Sequence, residues 1–352
     1  MANKNITPDQ TNDQASTDLE RRKMLGKLVA GGAAVAAGST LFSLEEEVLA
    51  ATLAPQGTAG IKVAESDGLS GASRLYTNWA KLEDLKKKMV KADFCGLKIS
   101  RILMGGNLIG GWAHARDLIY VSDLVKAYHT REKIYATFQM GEACGINTYL
   151  GSSSHIGFVT DYWEKKDGKL LFIPQCYEVE DALRCADLGA SACYVQGETG
   201  DRLAREGKFD DFRRFLDAVR EKGLPAGIGA HRLSSLKACV AEGIIPDFWM
   251  KTFHNHNYWS MNKPDEPEHD NVFCREPQET MDFMADRPEP WIAFKVLAAG
   301  AIRPQDGFRF AFEGGADFLC VGMYDFQIVD SVNTCMDVLG SELNRNRDWQ
   351  SG

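Results

Sequence analysis

The chain carries seven histidines in 352 residues. Five of them, His114, His155, His231, His254 and His256, follow short apolar runs rather than lying within them. Imidazole changes charge nearest neutral pH, so such a set is suited to proton transfer or to metal ligation. One reading gathers Glu198, His231, His254 and His256 around a divalent metal, Zn²⁺ or Mn²⁺, that would polarise a carbonyl or stabilise an enediolate. A second has the same groups hydrogen-bonding a neutral polar substrate without metal, and a third makes the histidines structural. His-x-His is not a specific spacing and no HExxH is present, so all three stay open. Glu198 could serve as base, as ligand or as a loop carboxylate paired with Arg202. Lys295 stands inside the apolar run Phe294-Lys295-Val296-Leu297. Pointing inward, its ammonium would lose charge on burial and act as base or electrostatic clamp; pointing outward, its stem would pack under a helix. Trp112, Tyr258 and Trp259, beside Asn107, His114, Gln196 and Tyr324, have the composition of a sugar site, in which rings cover C–H faces and polar groups read hydroxyls. Loop tryptophans also fasten long loops to a scaffold.

These residues need elements to bring them together. Eight apolar runs qualify as strands: Lys98–Met104, Ile146–Leu150, Leu170–Cys176, Ala192–Gln196, Ala226–Ala230, Phe248–Phe253, Trp291–Leu297 and Phe318–Met323. Their continuous hydrophobicity suits parallel strands covered on both faces. Amphipathic segments lie between them, including Arg131–Ala143, Ser154–Trp163, Val179–Leu188, Asp210–Glu221, Ser234–Glu242, Gln278–Ala285, Gln305–Phe312 and Gln327–Leu339. Such alternation closes most naturally as a (β/α)₈ TIM barrel, with a doubly wound open sheet as the alternative. No GxGxxG follows the first strand. In a barrel, the groups named above fall at the C-terminal strand ends, and the segments 110–130 and 255–277 form long loops at that mouth.

The flanks read differently. Residues 1–51 place Arg21-Arg22-Lys23 before a weakly hydrophobic, Gly/Ala-rich stretch, the order of a twin-arginine export signal; residues 52–94 read as spacer, 95–342 as the barrel and 343–352 as a tail. This predicts a twin-arginine translocase as partner, a periplasmic destination and no stable membrane span after processing. The nine cysteines form no CxxC pair and sit mostly in apolar runs, as buried thiols do. A net charge of −9 gives none of the basic footprint that nucleic acid demands, leaving a small molecule, most simply a carbohydrate, as the ligand.

Four stretches carry a resemblance. Gly96-Leu97-Lys98-Ile99-Ser100-Arg101-Ile102-Leu103-Met104-Gly105-Gly106, Gly145-Ile146-Asn147, Gly223-Leu224-Pro225-Ala226-Gly227-Ile228-Gly229-Ala230-His231 and Val321-Gly322-Met323 are similar to the first, second, fifth and last strand regions of the aldo/keto reductases. The resemblance implies their barrel and, by extension, NADPH-dependent carbonyl reduction by an Asp, Tyr, Lys and His tetrad. Carried over by position, the tetrad falls on Leu150, His155, Gln175 and Gly197, none of which is kept. Leu150 cannot ionise and Gln175 supplies no positive charge. The expectation is therefore an enzyme of proton-transfer type, an isomerase, epimerase or lyase acting on a carbohydrate or keto-sugar. In it Glu198 or His231 would be the base, His155 would take part, and Lys295 would stabilise negative charge. An NADPH-dependent oxidoreductase and a non-catalytic sugar-binding barrel are the alternatives.

Overall fold

The computed structural model describes residues 79–114, 118–258, 261 and 270–351. The expected export signal lies outside them. The chain divides into two units, Met1–Tyr76 and Thr77–Gly352, and the second holds everything described below.

Eight parallel strands close into a barrel: β3 (Ile102–Gly105), β4 (Thr148–Ser152), β5 (Leu171–Cys176), β6 (Cys193–Val195), β7 (Ala226–Ala230), β8 (Phe248–Thr252), β9 (Trp291–Phe294) and β10 (Phe318–Val321), with β10 pairing back onto β3. This is the (β/α)₈ fold that the alternation predicts. The helices are α1 (Val121–Tyr128), α2 (Arg131–Ala143), α3 (Ile156–Lys166), α4 (Val179–Asp187), α5 (Gly197–Arg205), α6 (Phe209–Glu221), α7 (Leu233–Ala241), α8 (Pro277–Ala285), α9 (Pro304–Glu313) and α10 (Ile328–Leu339). In α6 the buried Phe212, Phe215, Leu216 and Val219 recur at helical spacing, and each such side chain contributes about 1.5–3 kcal/mol on leaving water. No helix among the described residues is long and apolar enough to cross a membrane. All nine cysteines are free thiols, seven of them buried.

The first expected strand, Lys98–Met104, is corrected by the structure: it is two elements. β1 (Lys91–Phe94) and β2 (Leu97–Ser100) form an antiparallel hairpin about Cys95-Gly96, both with positive φ (50° and 86°), as a tight two-residue turn requires. The hairpin plugs the N-terminal end of the barrel. Its Phe94 packs on Phe248 and Phe318 with ring centroids 4.8 and 5.4 Å away, and joins Leu103, Leu150, Ile173 and Ile292 in the interior.

The fold is also wider than the expected 95–342. Beyond the hairpin, residues 343–351 pack under the same end of the barrel. There the fully buried Asp317 accepts from Arg347 Nη2 at 2.6 Å, Trp291 N at 3.0 Å and Gln350 N at 2.9 Å. With that end sealed, the mouth at the C-terminal strand ends is left for chemistry.

Candidate active site

Two histidines at the mouth are each backed by a carboxylate. His231 directly follows β7, and its Nδ1 lies 3.1 Å from Asp201 Oδ2, which also accepts from His231 N at 2.9 Å. The other oxygen of Asp201 accepts from Ser235 Oγ at 2.7 Å and Arg232 N at 3.1 Å. Burial opposes ionisation of Asp201, but the donors from His231, Ser235 and Arg232 outweigh it and hold the carboxyl below its ordinary value. An ionised Asp201 only accepts, so Nδ1 of His231 carries a proton, and in the neutral ring the lone pair belongs to Nε2.

Glycines make this pairing possible. A Cβ on Gly200 would lie 2.1 Å from Gly229 O, and one on Gly229 would lie 2.7 Å from Val195 O. Helix α5 therefore docks directly on β7, bringing Asp201 beneath the turn that carries His231.

The second pair extends into a relay. His114, in the loop after β3, places Nδ1 at 2.9 Å from Asp270 Oδ1 and Nε2 at 2.9 Å from Lys295 Nζ. Lys295 follows β9 in a left-handed conformation (φ 58°), which a non-glycine residue adopts only under strain. Its ammonium lies 3.7 Å from the centre of the Phe273 ring. Burial pushes the Lys295 amine down to about 8, against the opposing pull of Asp270 and Glu198. His114 is also pushed down, by burial first and Lys295 second, with Asp270 opposing. A lysine donating to Nε2 requires the Nδ1–H tautomer, which the Asp270 carboxylate accepts.

The other expected residues serve different purposes. His155 is buried, its Nδ1 2.7 Å from Tyr149 OH, and burial pushes it down to about 4. Burial drives the Tyr149 phenol well up, so Tyr149 donates and His155 stays neutral. Trp112, half exposed, stacks on His155 at 6.1 Å and 20°. Gln196 caps α5, accepting from Thr199 N at 2.8 Å, and Glu198 is exposed in the first turn of that helix. Asn107 accepts from Trp112 N through its carbonyl at 2.8 Å, and Tyr324 stacks on His129 at the rim.

The proposed metal set is not assembled. His254 is buried, Nδ1 donates to Asn255 O at 2.8 Å, and Nε2 accepts from Phe273 N and Cys274 N at 3.0 and 2.9 Å. Both nitrogens are thus spent on the backbone of the loop after β8. His256 Nε2 donates to Cys274 O at 2.6 Å, and Tyr258 OH donates to Asn271 O at 2.9 Å, fastening the same loop. Among the described residues no group of three or more His, Cys, Asp or Glu is placed to hold a metal ion. Trp259 lies outside the described residues.

Leu150 belongs to the apolar barrel interior, and Gln175 accepts from Tyr194 OH at 3.4 Å.

The sequence reading did not single out Asp201, Asp270 or Lys251. Lys251 is wholly buried and donates to Thr252 O at 2.8 Å and Thr252 Oγ1 at 2.9 Å, burial pushing its amine down. Beside His231, a cavity of about 370 Å³ opens between the turn after β7 and the loop after β8, lined by Arg232, Lys237, Phe273, Arg275 and Glu276 among others.

No protein-family model matches the chain, and no curated protein matches it in sequence. Solved structures match it in fold. An assigned aldo-keto reductase from Pseudomonas aeruginosa superposes with a TM-score of 0.51 at 12% identity, over 72% of this chain and 98% of that one. A truncated 3-deoxy-D-arabino-heptulosonate 7-phosphate synthase from Thermotoga maritima gives 0.42 at 13% identity, over 73% and 95%. At such identities the first likeness speaks for the barrel alone, and the second carries no argument.

Proposed function

We propose that this barrel is an enzyme that moves a proton on the carbon next to a carbonyl, in an isomerase, epimerase or lyase reaction on a polyhydroxylated substrate. The observation that carries the reading is the pairing of His231 with Asp201 and of His114 with Asp270 at one mouth. An imidazole whose Nδ1–H is held by a carboxylate presents a basic Nε2 and accommodates the charge it gains. His231 is the base in this scheme. Lys295, beside Phe273 and His114, supplies positive charge for the oxygen of the developing enediolate. The half-exposed face of Trp112 and the polar cavity next to His231 provide the ring and hydrogen-bonding surfaces that a sugar needs. Export along the twin-arginine route forms part of the proposal and rests on residues 1–51 alone.

The test is solvent exchange. Dihydroxyacetone, ketohexoses and aldoses are incubated with the full-length protein in D₂O, and loss of the α-proton signal is followed by NMR. Exchange on at least one of them supports the reading. Exchange on none, with oxidation of NADPH in the presence of the same compounds, replaces it by the reductase. Sugar binding without either leaves a binding module.

A further inference from the structure

We propose that Lys295 is a covalent nucleophile, condensing through Nζ with an aldehyde or ketone to form an imine, with His114 as its proton shuttle. The proposal rests on the proton-transfer reading and names the device that makes the α-hydrogen acidic. Three features of the geometry point to it. The residue is held at the mouth by a strained segment: among the described residues, five non-glycines have positive φ, and three of them, Lys295, Ala298 and Ala299, lie in this one turn. Strain kept in place by a fold collects at functional sites. The amine is also flanked differently from surface lysines. Lys86 and Lys133 sit on carboxylates at 2.7 and 3.0 Å, whereas Lys295 Nζ touches the imidazole of His114 and the face of Phe273. Finally, the neighbour at 2.9 Å is a proton acceptor with its own carboxylate behind it, so a proton leaving Nζ has somewhere to go.

The step balances without oxidant or reductant. The ammonium passes one proton to His114 Nε2, and the freed lone pair attacks the carbonyl carbon as the C=O π pair moves to oxygen. Proton transfer from nitrogen to that oxygen gives the carbinolamine. His114 then returns its proton to the hydroxyl, the C–O bond breaks, and water leaves. The product is the protonated imine, and His114 ends neutral. The cationic nitrogen draws on the adjacent C–H bond, and His231 takes that proton to leave an enamine.

The test uses the full-length protein with dihydroxyacetone and sodium cyanoborohydride at pH 7, followed by peptide mapping by mass spectrometry. Lys295 is expected to acquire the reduced adduct at least ten times faster than Lys86 or Lys98. His114→Ala should slow labelling at Lys295 at least tenfold while leaving those two surface lysines unchanged. Labelling of Lys295 no faster than of the surface lysines, or indifference to His114→Ala, overturns the proposal. α-Proton exchange is measured alongside. Adduct at Lys295 without exchange supports the imine and sinks the role given to His231. Exchange at the wild-type rate in Lys295→Met overturns the imine, and with it the charge given to Lys295, and leaves only the proton abstraction by His231 standing.

Discussion

Lowering the pH from 7 to 5 should cost this barrel about 4 kcal/mol through two buried imidazoles, His155 and His254, each held near a pKa of about 4 in the folded protein. In the unfolded chain both return to about 6.5. For a base whose folded pKa is lowered, the unfolded chain binds more protons between the two values, so stability rises with pH across that window and falls as the solution is acidified. At pH 7 both states are nearly neutral. At pH 5 the unfolded imidazole is almost fully protonated and the folded one almost fully neutral, a difference of about 2 kcal/mol per residue. Burial dominates in both, and around His254 the neighbouring His256, Lys251 and Lys295 push the same way. His155→Phe isolates one term. The ring keeps its place between Trp112 and Phe158, while Tyr149 loses its acceptor, at a cost of about 1–3 kcal/mol at pH 7. Urea unfolding followed by circular dichroism at pH 7, 6 and 5 should then show the variant losing about 2 kcal/mol less than the wild type over that range. A variant that retains the full acid loss would refute the account of His155 as a buried neutral base.

Three further substitutions probe separate parts of the structure. Gly200→Ala should lift α5 from β7, since its new methyl would lie 2.1 Å from Gly229 O; the cost should be about 1–3 kcal/mol by thermal melting, with loss of α-exchange because Asp201 moves with the helix. Asp317→Ala should destabilise by about 3–5 kcal/mol, because it strands the buried Arg347 guanidinium under the barrel. A change below 1 kcal/mol in chemical denaturation would count against the seal at that end. Trp112→Ala should leave the melting temperature unchanged, the ring being half exposed, yet weaken sugar binding roughly three- to tenfold by titration.

How far the sequence foretold this molecule depends on the kind of signal. The barrel was legible because continuous apolar runs and amphipathic segments such as 210–221 carry distinct periods along the chain. The first strand misled because Lys98-Ile99 alternates, as a half-exposed hairpin does, while Ile102-Leu103-Met104 is continuous, and the two patterns abut without a turn signal. At the site, His231 could be found because it stands at a strand end, His114 because it falls in a long loop at the mouth, and Lys295 because it is a charge in an apolar run. Asp201 could not, since its role arises from Gly200 and Gly229 letting two elements touch; Gly-Asp inside a polar helix of mixed charge looks like any solvated turn. His254 was misread for the converse reason. Its spacing from His256 resembles a ligand pair, but the loop folds so that backbone groups of Phe273, Cys274 and Asn255 consume both of its nitrogens.

The central claim is that His231, held by Asp201, takes a proton from the carbon beside a carbonyl. It is tested most directly by the rate of α-deuterium incorporation into dihydroxyacetone, or the best sugar of the panel, for wild type, His231→Ala and Asp201→Asn at pH 8, with folding of each checked by circular dichroism. Wild-type exchange is expected well above the buffer rate, with losses of at least about 100-fold in both variants. Exchange within about twofold of wild type in a folded His231→Ala protein would contradict it.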